Sequence, residues 1–189
     1  MADYSSINID SAYRMINHGP LVLVSTISPA GVPDIAPIDW NCPVKKSPSS
    51  VLIAISTSHQ TFSNIDSVRE MIICVPRDTQ KELIRNTGSV SGSRINKFEE
   101  FSIKSVPGTV IKSLIPVGCL GYMECRIKRI IDFEGEALVI GEAVYAGADP
   151  DSFTGRVMPE NPGGRTLHHL GGSDFAVPEI LANNENKTL

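Results

Sequence analysis

Short apolar runs separated by turn residues dominate the hydrophobic pattern of this chain. The run Leu21–Ile27 is apolar at both parities, which predicts a strand buried on both faces. The next run contains Pro33 and Pro37, which cannot donate to a ladder, so its strand belongs at a sheet edge or a bulge. The predicted strands in the first half of the chain are Leu21–Ile27, Val32–Ile38, Val51–Ile55 and Met71–Val75.

The longest strand pattern lies later in the chain. Residues Cys119–Ile131 alternate in polarity over a length that predicts one long strand. Asp132–Glu136 is predicted as a hairpin loop and Ala137–Val144 as the returning strand, in which Gly141 suits a bulge. The segments 39–44 and 45–48 are predicted as loops.

Helix signals are short and depend on capping residues. Asp10 suits an N-cap and Gly19 a left-handed C-terminal residue, whereas Asp78 suits the N-cap of a helix that Gly88 closes. The predicted helices span residues 10–19, about 61–67, about 79–86 and about 96–101.

The balance of elements favours a mainly β fold. Strands outnumber long helices and their joins are hairpin-like, which favours an antiparallel barrel with small flanking helices over a parallel α/β sheet. The 189 residues contain no repeat or dividing linker, so we expect a single domain over residues 1–182. It comprises a barrel over about 10–148 and a loop-rich C-terminal extension over 149–182, followed by a disordered tail over 183–189.

Composition excludes several classes of partner. The net charge of −4 argues against a nucleic-acid surface, and no run of 18 apolar residues predicts a membrane span. The N-terminus lacks a basic and apolar leader, so a cytoplasmic location is expected. Four cysteines without a C-x-x-C pair predict reduced thiols, and the histidines are not spaced to complete a metal site.

The most informative polar stretch is Ser56–Thr61, which contains Ser56, Thr57, Ser58, His59 and Thr61. It follows an apolar strand and leads into a predicted helix. The first N–H groups of a helix have no internal partner and lie at the positive end of its dipole, so hydroxyls and an imidazole there could bind a phosphate. The alternative is a plain strand-to-helix connection in which Thr61 is the N-cap.

Other candidate sites are weaker. The chain has no Rossmann glycine pattern after a strand, no P-loop and no nucleophile elbow. His168 and His169 are adjacent and point apart on any regular element, so they read as a surface or loop pair. Trp40 is either a packing residue or a platform for a flat ligand, and Arg94 and Lys97 are either solvated or add positive charge to a phosphate site.

Several stretches between about residues 10 and 148 share the order and spacing of one family. They are Gly19–Thr26, Gly31–Trp40, Cys42–Val44, Val51–Ser56, Thr61–Ile65, the N-K-F segment Asn96–Glu99, and Cys119–Glu142 with its E-C-R and I-G-E-A elements. Together they resemble the flavin reductase-like family, and in particular its flavoredoxin-like members.

The resemblance implies an FMN-binding split β-barrel that is six-stranded, antiparallel and Greek-key-like, in a homodimer with the flavin near the subunit interface. It implies phosphate binding at Ser56–Thr61 and a ring that lies along Pro37–Asn41. The cofactor-binding residues it implies are Pro37, Ile38, Asp39, Trp40, Asn41, Ser56, Thr57, Ser58, His59, Thr61, Asn64, Ser91, Arg94 and Lys97.

Two acidic residues depart from the family pattern. Asp34 stands where the family often has Asn, and Asp39 stands where it has a small neutral residue. An ionised carboxylate beside the ring would disfavour an anionic reduced flavin. Either Asp39 points outward or the flavin has a lower potential than in relatives.

The implied function is that of an NAD(P)H:flavin oxidoreductase of the EC 1.5 class, in which electrons pass from a transiently bound NAD(P)H through FMN to a second acceptor. The chemistry belongs to the flavin, so no catalytic side chain and no metal ligand is assigned. The alternatives are a non-enzymatic FMN electron carrier reduced by a partner protein, and a split-barrel interaction module without flavin.

Overall fold

The computed structural model describes residues 8, 9, 15 and 19–181. The helix predicted over 10–19, apart from isolated positions, and the tail predicted over 183–189 therefore lie outside the described residues. In chain order the strands are β1 (Val22–Ile27), β2 (Pro33–Ile38), β3 (Asn41–Lys46), β4 (Ser49–Ser56), β5 (Glu70–Val75), β6 (Ser105–Pro107), β7 (Leu114–Pro116), β8 (Gly121–Phe133), β9 (Glu136–Ala148), β10 (His168–Gly171) and β11 (Asp174–Ala176). The helices are α1 (Gln60–Val68), α2 (Lys81–Ser89) and α3 (Lys97–Glu100), with 3₁₀ turns at Asp78–Gln80 and Pro162–Gly164.

One antiparallel sheet organises the fold. Its strand order is β2-β1-β5-β8-β9-β4-β3, and β6-β7 and β10-β11 form two separate hairpin ladders. The mainly β, antiparallel class with small flanking helices is therefore confirmed. The strand count is not, because the large sheet contains seven strands rather than six.

The additional strand is β3, which replaces the two loops predicted over residues 39–48. It pairs antiparallel with β4, and the register shifts between Pro43 and Lys45. A proline at an irregularity of an edge strand does not break the ladder, which explains how this proline- and lysine-rich segment can be a strand. The edge position predicted for the proline-containing β2 is confirmed.

The β8–β9 hairpin is longer than predicted, because its strands extend to Phe133 and restart at Glu136. Its turn residues Glu134 and Gly135 both have positive φ, at 51° and 93°. Register shifts interrupt the ladder between Glu124 and Cys125 and between Ile127 and Arg129; Gly141 pairs with Ile127 at the border of the second shift, whose additional residue, Lys128, lies on β8. The bulges let these long strands bend with the barrel.

The core lies on both faces of the large sheet. Along β1, Val22 and Val24 join one buried cluster with Ile53 and Val139, whereas Leu23 joins a second cluster. The second cluster also contains Ile84 of α2 and Phe98 of α3. The continuous apolar run of β1 therefore indicates burial on both faces, as predicted.

Three helix boundaries differ from the predictions, and the first is the start of α2, whose N-cap is Gln80 because Asp78 begins the preceding 3₁₀ turn. Gly88 lies inside α2 rather than closing it, and a Cβ there would lie 3.0 Å from Pro37 Cγ. Gly88 therefore serves the close packing of α2 on β2. The N-cap of α1 is His59, not Thr61.

The C-terminal extension is loop-rich but ends in the β10–β11 hairpin, which the sequence did not reveal. Backbone hydrogen bonds from Leu21 N–H to Leu167 O (3.0 Å) and from Asp78 N–H to Arg165 O (2.9 Å) attach it to the barrel. All four cysteines are free thiols. Among the residues described, no helix is both long and apolar enough to cross a lipid bilayer.

Candidate functional site

A cleft between β2, α2 and the C-terminal hairpin contains two adjoining compartments. The polar compartment, about 340 Å³ in volume, is lined by Asp34, Ala36, Pro37, His59, Gln60, Thr61, Thr87, Gly88, Ser89, Val90, Ser91, Gly92 and Lys97. The hairpin compartment, about 380 Å³, is lined by Leu21, Pro37, Asp39, Ile84, Arg85, Gly88, Ser89, His169, Gly172, Ser173 and Phe175. The two compartments share Pro37, Gly88 and Ser89, so one elongated ligand could extend through both.

The start of α1 supplies hydrogen-bond donors to the polar compartment. No side chain in the described part of the chain caps this helix, and its first turn contains no acidic residue. The first intrahelical bond runs from Ser63 N–H to His59 O. The amides of residues 60–62 are therefore left without helical partners at the positive end of the dipole, which is the arrangement that binds anions.

A buried ionic network forms the floor of the polar compartment. Thr61 Oγ1 donates a 2.7 Å hydrogen bond to Asp34 Oδ2, and Lys97 Nζ lies 3.4 Å from Asp34 Oδ1. The side chains of Asp34 and Lys97 are only 3% and 4% exposed. The pair is neutral as a whole, so the carboxylate does not add a net negative charge to the compartment.

Lys97 is occupied by this network. Its ammonium donates to Ile35 O at 2.8 Å and to Thr87 O at 2.9 Å, in addition to the contact with Asp34. The two carbonyls use two of the three N–H donors of the lysine, and the contact with Asp34 is an ion pair without a hydrogen bond to Oδ1. Lys97 therefore lines the polar compartment while it holds β2, α2 and α3 together.

Gly92 packs directly against the Asp34 carboxylate. Asp34 Oδ1 is buried without a hydrogen-bond partner, and a Cβ on Gly92 would lie 2.1 Å from it. The loop after α2 therefore approaches the carboxylate as closely as only a glycine allows. In the same loop, Ser91 Oγ and Ser93 Oγ are hydrogen-bonded at 2.9 Å.

The hairpin compartment contains an acid–base pair. His169 Nδ1 lies 2.7 Å from Asp39 Oδ2, and His169 Nε2 lies 3.2 Å from Gly172 O. The imidazole also packs on Phe175, with ring centroids 5.5 Å apart. Asp39 therefore faces the cleft with a histidine as its partner, and does not simply point outward.

Sequence comparison identifies the family. Residues 14–161 match the model of the flavin reductase like domain. The protein YddH of Escherichia coli (strain K12) is 32% identical over 181 residues, which cover 94% of this chain and 96% of YddH. The chain belongs to the flavin reductase-like family. The resemblance inferred from sequence order and spacing is confirmed.

Solved structures agree on the fold of this flavin reductase-like protein. The FMN-binding domain of a flavin reductases-like enzyme from Shewanella baltica OS155 has a TM-score of 0.78 at 24% identity and covers 96% of this chain and 97% of that one. A flavoredoxin from Methanosarcina acetivorans has a TM-score of 0.81 at 18% identity and covers 99% of this chain and 97% of that one. At these identities the likeness establishes the split-barrel fold.

The structure of this flavin reductase-like protein brings some of the predicted binding residues together in the cleft. Those that line it are Pro37, Asp39, His59, Thr61, Ser91 and Lys97. Those that line neither compartment are Ile38, Trp40, Asn41, Ser56, Thr57, Ser58, Asn64 and Arg94.

Several of the second group have structural partners. Asn64 donates to Thr26 Oγ1 at 3.0 Å and accepts from Gln60 Nε2 at 2.8 Å. Asn41 Nδ2 donates to Pro20 O at 2.8 Å, and Thr57 Oγ1 donates to Gly135 O at 2.9 Å. These side chains stabilise the connections around the cleft.

Sequence reasoning missed the contribution of α2 and of the C-terminal hairpin to the cleft. The sequence predicts Gly88 as a helix end and His169 as part of a surface or loop pair, so it assigns neither residue to a site. A separation of 130 residues between Asp39 and His169 leaves no local signal. In the described part of the chain, no group of three or more His, Cys, Asp or Glu side chains could hold a metal ion.

Proposed function

We propose that this protein binds FMN in the cleft and passes electrons from NAD(P)H through FMN to a second acceptor. The observation that carries the proposal is the junction of the two compartments: an uncapped helix start opens into a space whose lining includes the apolar side chains of Leu21, Ile84 and Phe175. FMN has the same division, with a phosphate at one end and a flat ring at the other. The family membership and the FMN-binding relative from Shewanella baltica support the same cofactor.

Each part of the cleft has a distinct role in this proposal. The amides at the start of α1 hold the phosphate, and the hydroxyls of Ser89 and Ser91 suit the ribityl chain. Leu21, Ile84 and Phe175 supply the apolar contact that a ring requires. When bound, FMN supplies hydride acceptance and electron donation, so the side chains bind and orient rather than act as acid or base.

A second candidate function is that of a non-enzymatic FMN electron carrier reduced by a partner protein. The structural likeness to a flavoredoxin favours it. Both functions require the same cofactor and differ in whether a nicotinamide reduces it. Steady-state oxidation of NADH or NADPH with FMN present separates them, because a carrier shows no turnover at saturating nicotinamide.

The phosphate position is tested with a charge placed at the start of α1. Gln60→Glu adds a carboxylate beside the free amides, and Gln60→Met removes the same hydrogen bond to Asn64 without adding charge. We expect Gln60→Glu to weaken FMN about tenfold, or about 1.4 kcal/mol, and to leave riboflavin binding equal to that of Gln60→Met. Equal losses for FMN and riboflavin would contradict a phosphate at this helix start.

The proposal includes a homodimer with the flavin near the subunit interface. An apolar groove of about 550 Å³ at one end of β8 and β9 supports a self-association surface, and its lining includes Val75, Tyr122, Met123, Phe153 and Val157. Sedimentation velocity measures the assembly directly. A monomer at concentrations where FMN binds fully would contradict this part of the proposal.

A further inference from the structure

His169 contacts two hydrogen-bond acceptors at the same time. Its Nδ1 lies 2.7 Å from Asp39 Oδ2 and its Nε2 lies 3.2 Å from Gly172 O. An ionised carboxylate and a backbone carbonyl accept hydrogen bonds and donate none. Both contacts are therefore hydrogen bonds together only when the imidazole carries a proton on each nitrogen.

We propose that His169 is a positioning residue that, as an imidazolium, neutralises Asp39 and holds the C-terminal hairpin against the cleft. Neutralisation of Asp39 affects the charge of the cleft, and the contact with the hairpin affects its shape. The inference about charge rests on the proposed binding of FMN. The inference about the hairpin does not require a ligand.

The backbone hydrogen bonds that attach the hairpin lie at its base, and Phe175 of β11 packs on the second core cluster. Leu167 and Arg165 form the backbone bonds to Leu21 and Asp78. The turn beyond them contains Gly171 and Gly172 at positive φ, 115° and 59°. His169 lies between the anchored base and this turn, and its bond to Asp39 attaches that region to the end of β2.

The ionisable side chains around the pair determine the charge of the hairpin compartment. Asp39, Arg85 and His169 are the ionisable residues that line the hairpin compartment within the described chain. Lys81 Nζ lies 5.4 Å from the centroid of Phe175, the ring that packs on His169. Without the imidazolium, the Asp39 carboxylate would lose this counter-charge and would repel the additional charge of reduced FMN more strongly. The pairing of Asp39 with His169 explains why a flavin reductase-like site tolerates an aspartate at this position.

Four variants separate the two roles. His169→Gln removes the charge, Asp39→Asn removes its partner, and the double variant removes both. Asp174→Asn is the control within the same hairpin, because Asp174 is exposed on β11. All variants are made in the full chain.

Hydrogen–deuterium exchange over residues 168–176 without FMN tests the attachment. We expect exchange about tenfold faster in His169→Gln than in wild type, and unchanged exchange in Asp174→Asn. Equal exchange in His169→Gln and wild type would overturn the positioning role. This exchange measurement does not depend on whether the protein binds FMN.

The affinities for oxidised and reduced FMN, measured anaerobically, test the charge. We expect the ratio of reduced to oxidised affinity to fall about tenfold in His169→Gln, which is about 30 mV towards lower potential for a two-electron couple. Asp39→Asn should shift it the opposite way, and the double variant should return close to wild type. An unchanged ratio in His169→Gln would overturn the charge role, whereas wild type that binds no FMN would overturn the proposed function itself.

Discussion

At the scale of single residues, the site depends on one buried ion pair. Asp34 and Lys97 are nearly inaccessible, and Lys97 also bonds two backbone carbonyls. Removal of one partner from such a pair leaves an uncompensated charge in a medium that solvates it poorly. The pair therefore serves the geometry of the cleft even if it adds little net stability.

Lys97→Met should lower the free energy of unfolding by about 3–5 kcal/mol, because Asp34 then stays buried without its counter-charge. Urea unfolding followed by circular dichroism measures this. Lys112→Met, at an exposed lysine, is the control and should change stability little. If Asp34→Asn/Lys97→Met were as unstable as Lys97→Met alone, the unpaired charge would not be the cause.

The cysteines should differ in reactivity for reasons that the structure makes explicit. A hydrogen bond from Cys74, helped by Gln80 and the charge of Arg77, holds the pKa of Cys119 below its usual value despite burial. The same hydrogen bond and burial raise the pKa of Cys74. Burial raises the pKa of Cys125 to about 12. Because the thiolate is the nucleophile, Cys119 should react before either of these two.

Iodoacetamide labelling near neutral pH, followed by peptide mass spectrometry, measures this order. We expect label at Cys119 and at the exposed Cys42 in the folded protein, and at Cys74 and Cys125 only after unfolding. Label at Cys74 as early as at Cys119 would contradict the assigned direction of the hydrogen bond between the two thiols.

At the scale of elements, a buried carboxylate joins β8 to the loop between β6 and β7. Glu124 is 0% exposed and accepts hydrogen bonds from the backbone N–H groups of Thr109, Val110 and Ile111, at 2.6, 2.7 and 2.6 Å. Burial favours the neutral acid, but these three donors outweigh it and hold the pKa of Glu124 below its usual value. A loop without regular structure of its own is thereby fixed to the sheet.

A carboxyl group with a lowered pKa in the folded state stabilises the protein above its unfolded pKa, near 4.3, and loses that contribution as the pH falls through the folded value. Glu124→Gln should cost about 2–4 kcal/mol near neutral pH, since an amide nitrogen would face backbone donors. It should also flatten the acid side of the stability curve. Urea unfolding across this range measures both, with the exposed Glu99→Gln as control. A variant with the wild-type acid slope would contradict the role of Glu124.

At the scale of the whole molecule, local patterns revealed the barrel and long-range contacts revealed the cleft. The apolar runs of β1, β4 and β5 reflect burial, which periodicity reports directly. The proline- and lysine-rich β3 is a strand because β4 offers it an edge, which no local propensity encodes. The Asp34–Lys97 and Asp39–His169 pairs join residues separated by 63 and 130 positions, so only the folded chain brings them together.

Arg77 connects the C-terminal extension to the barrel over a comparable distance in sequence. Its guanidinium pairs with Asp149, which also accepts hydrogen bonds from Asp151 N–H (3.0 Å) and Ser152 Oγ (3.0 Å). These bonds from Asp151 and Ser152, together with Arg77, hold the pKa of Asp149 below its usual value. The backbone of Arg77 also pairs with Thr166, so both ends of the segment 149–166 meet at this residue.

Arg77→Met should therefore loosen the extension while the barrel stays folded. Limited trypsin digestion should cut at Arg156 faster than in wild type, because the Asp149 end of the segment 149–166 loses its ion pair, whereas the backbone bonds at Arg165 and Thr166 remain. Arg69→Met is the matched control: it also removes an arginine beside β5, but its partner Asp66 lies on α1 and its ion pair is exposed. Faster cleavage in both variants would indicate a general loss of stability. Faster cleavage in Arg77→Met alone would identify the Arg77 side chain as the group that attaches the segment 149–166 to the barrel.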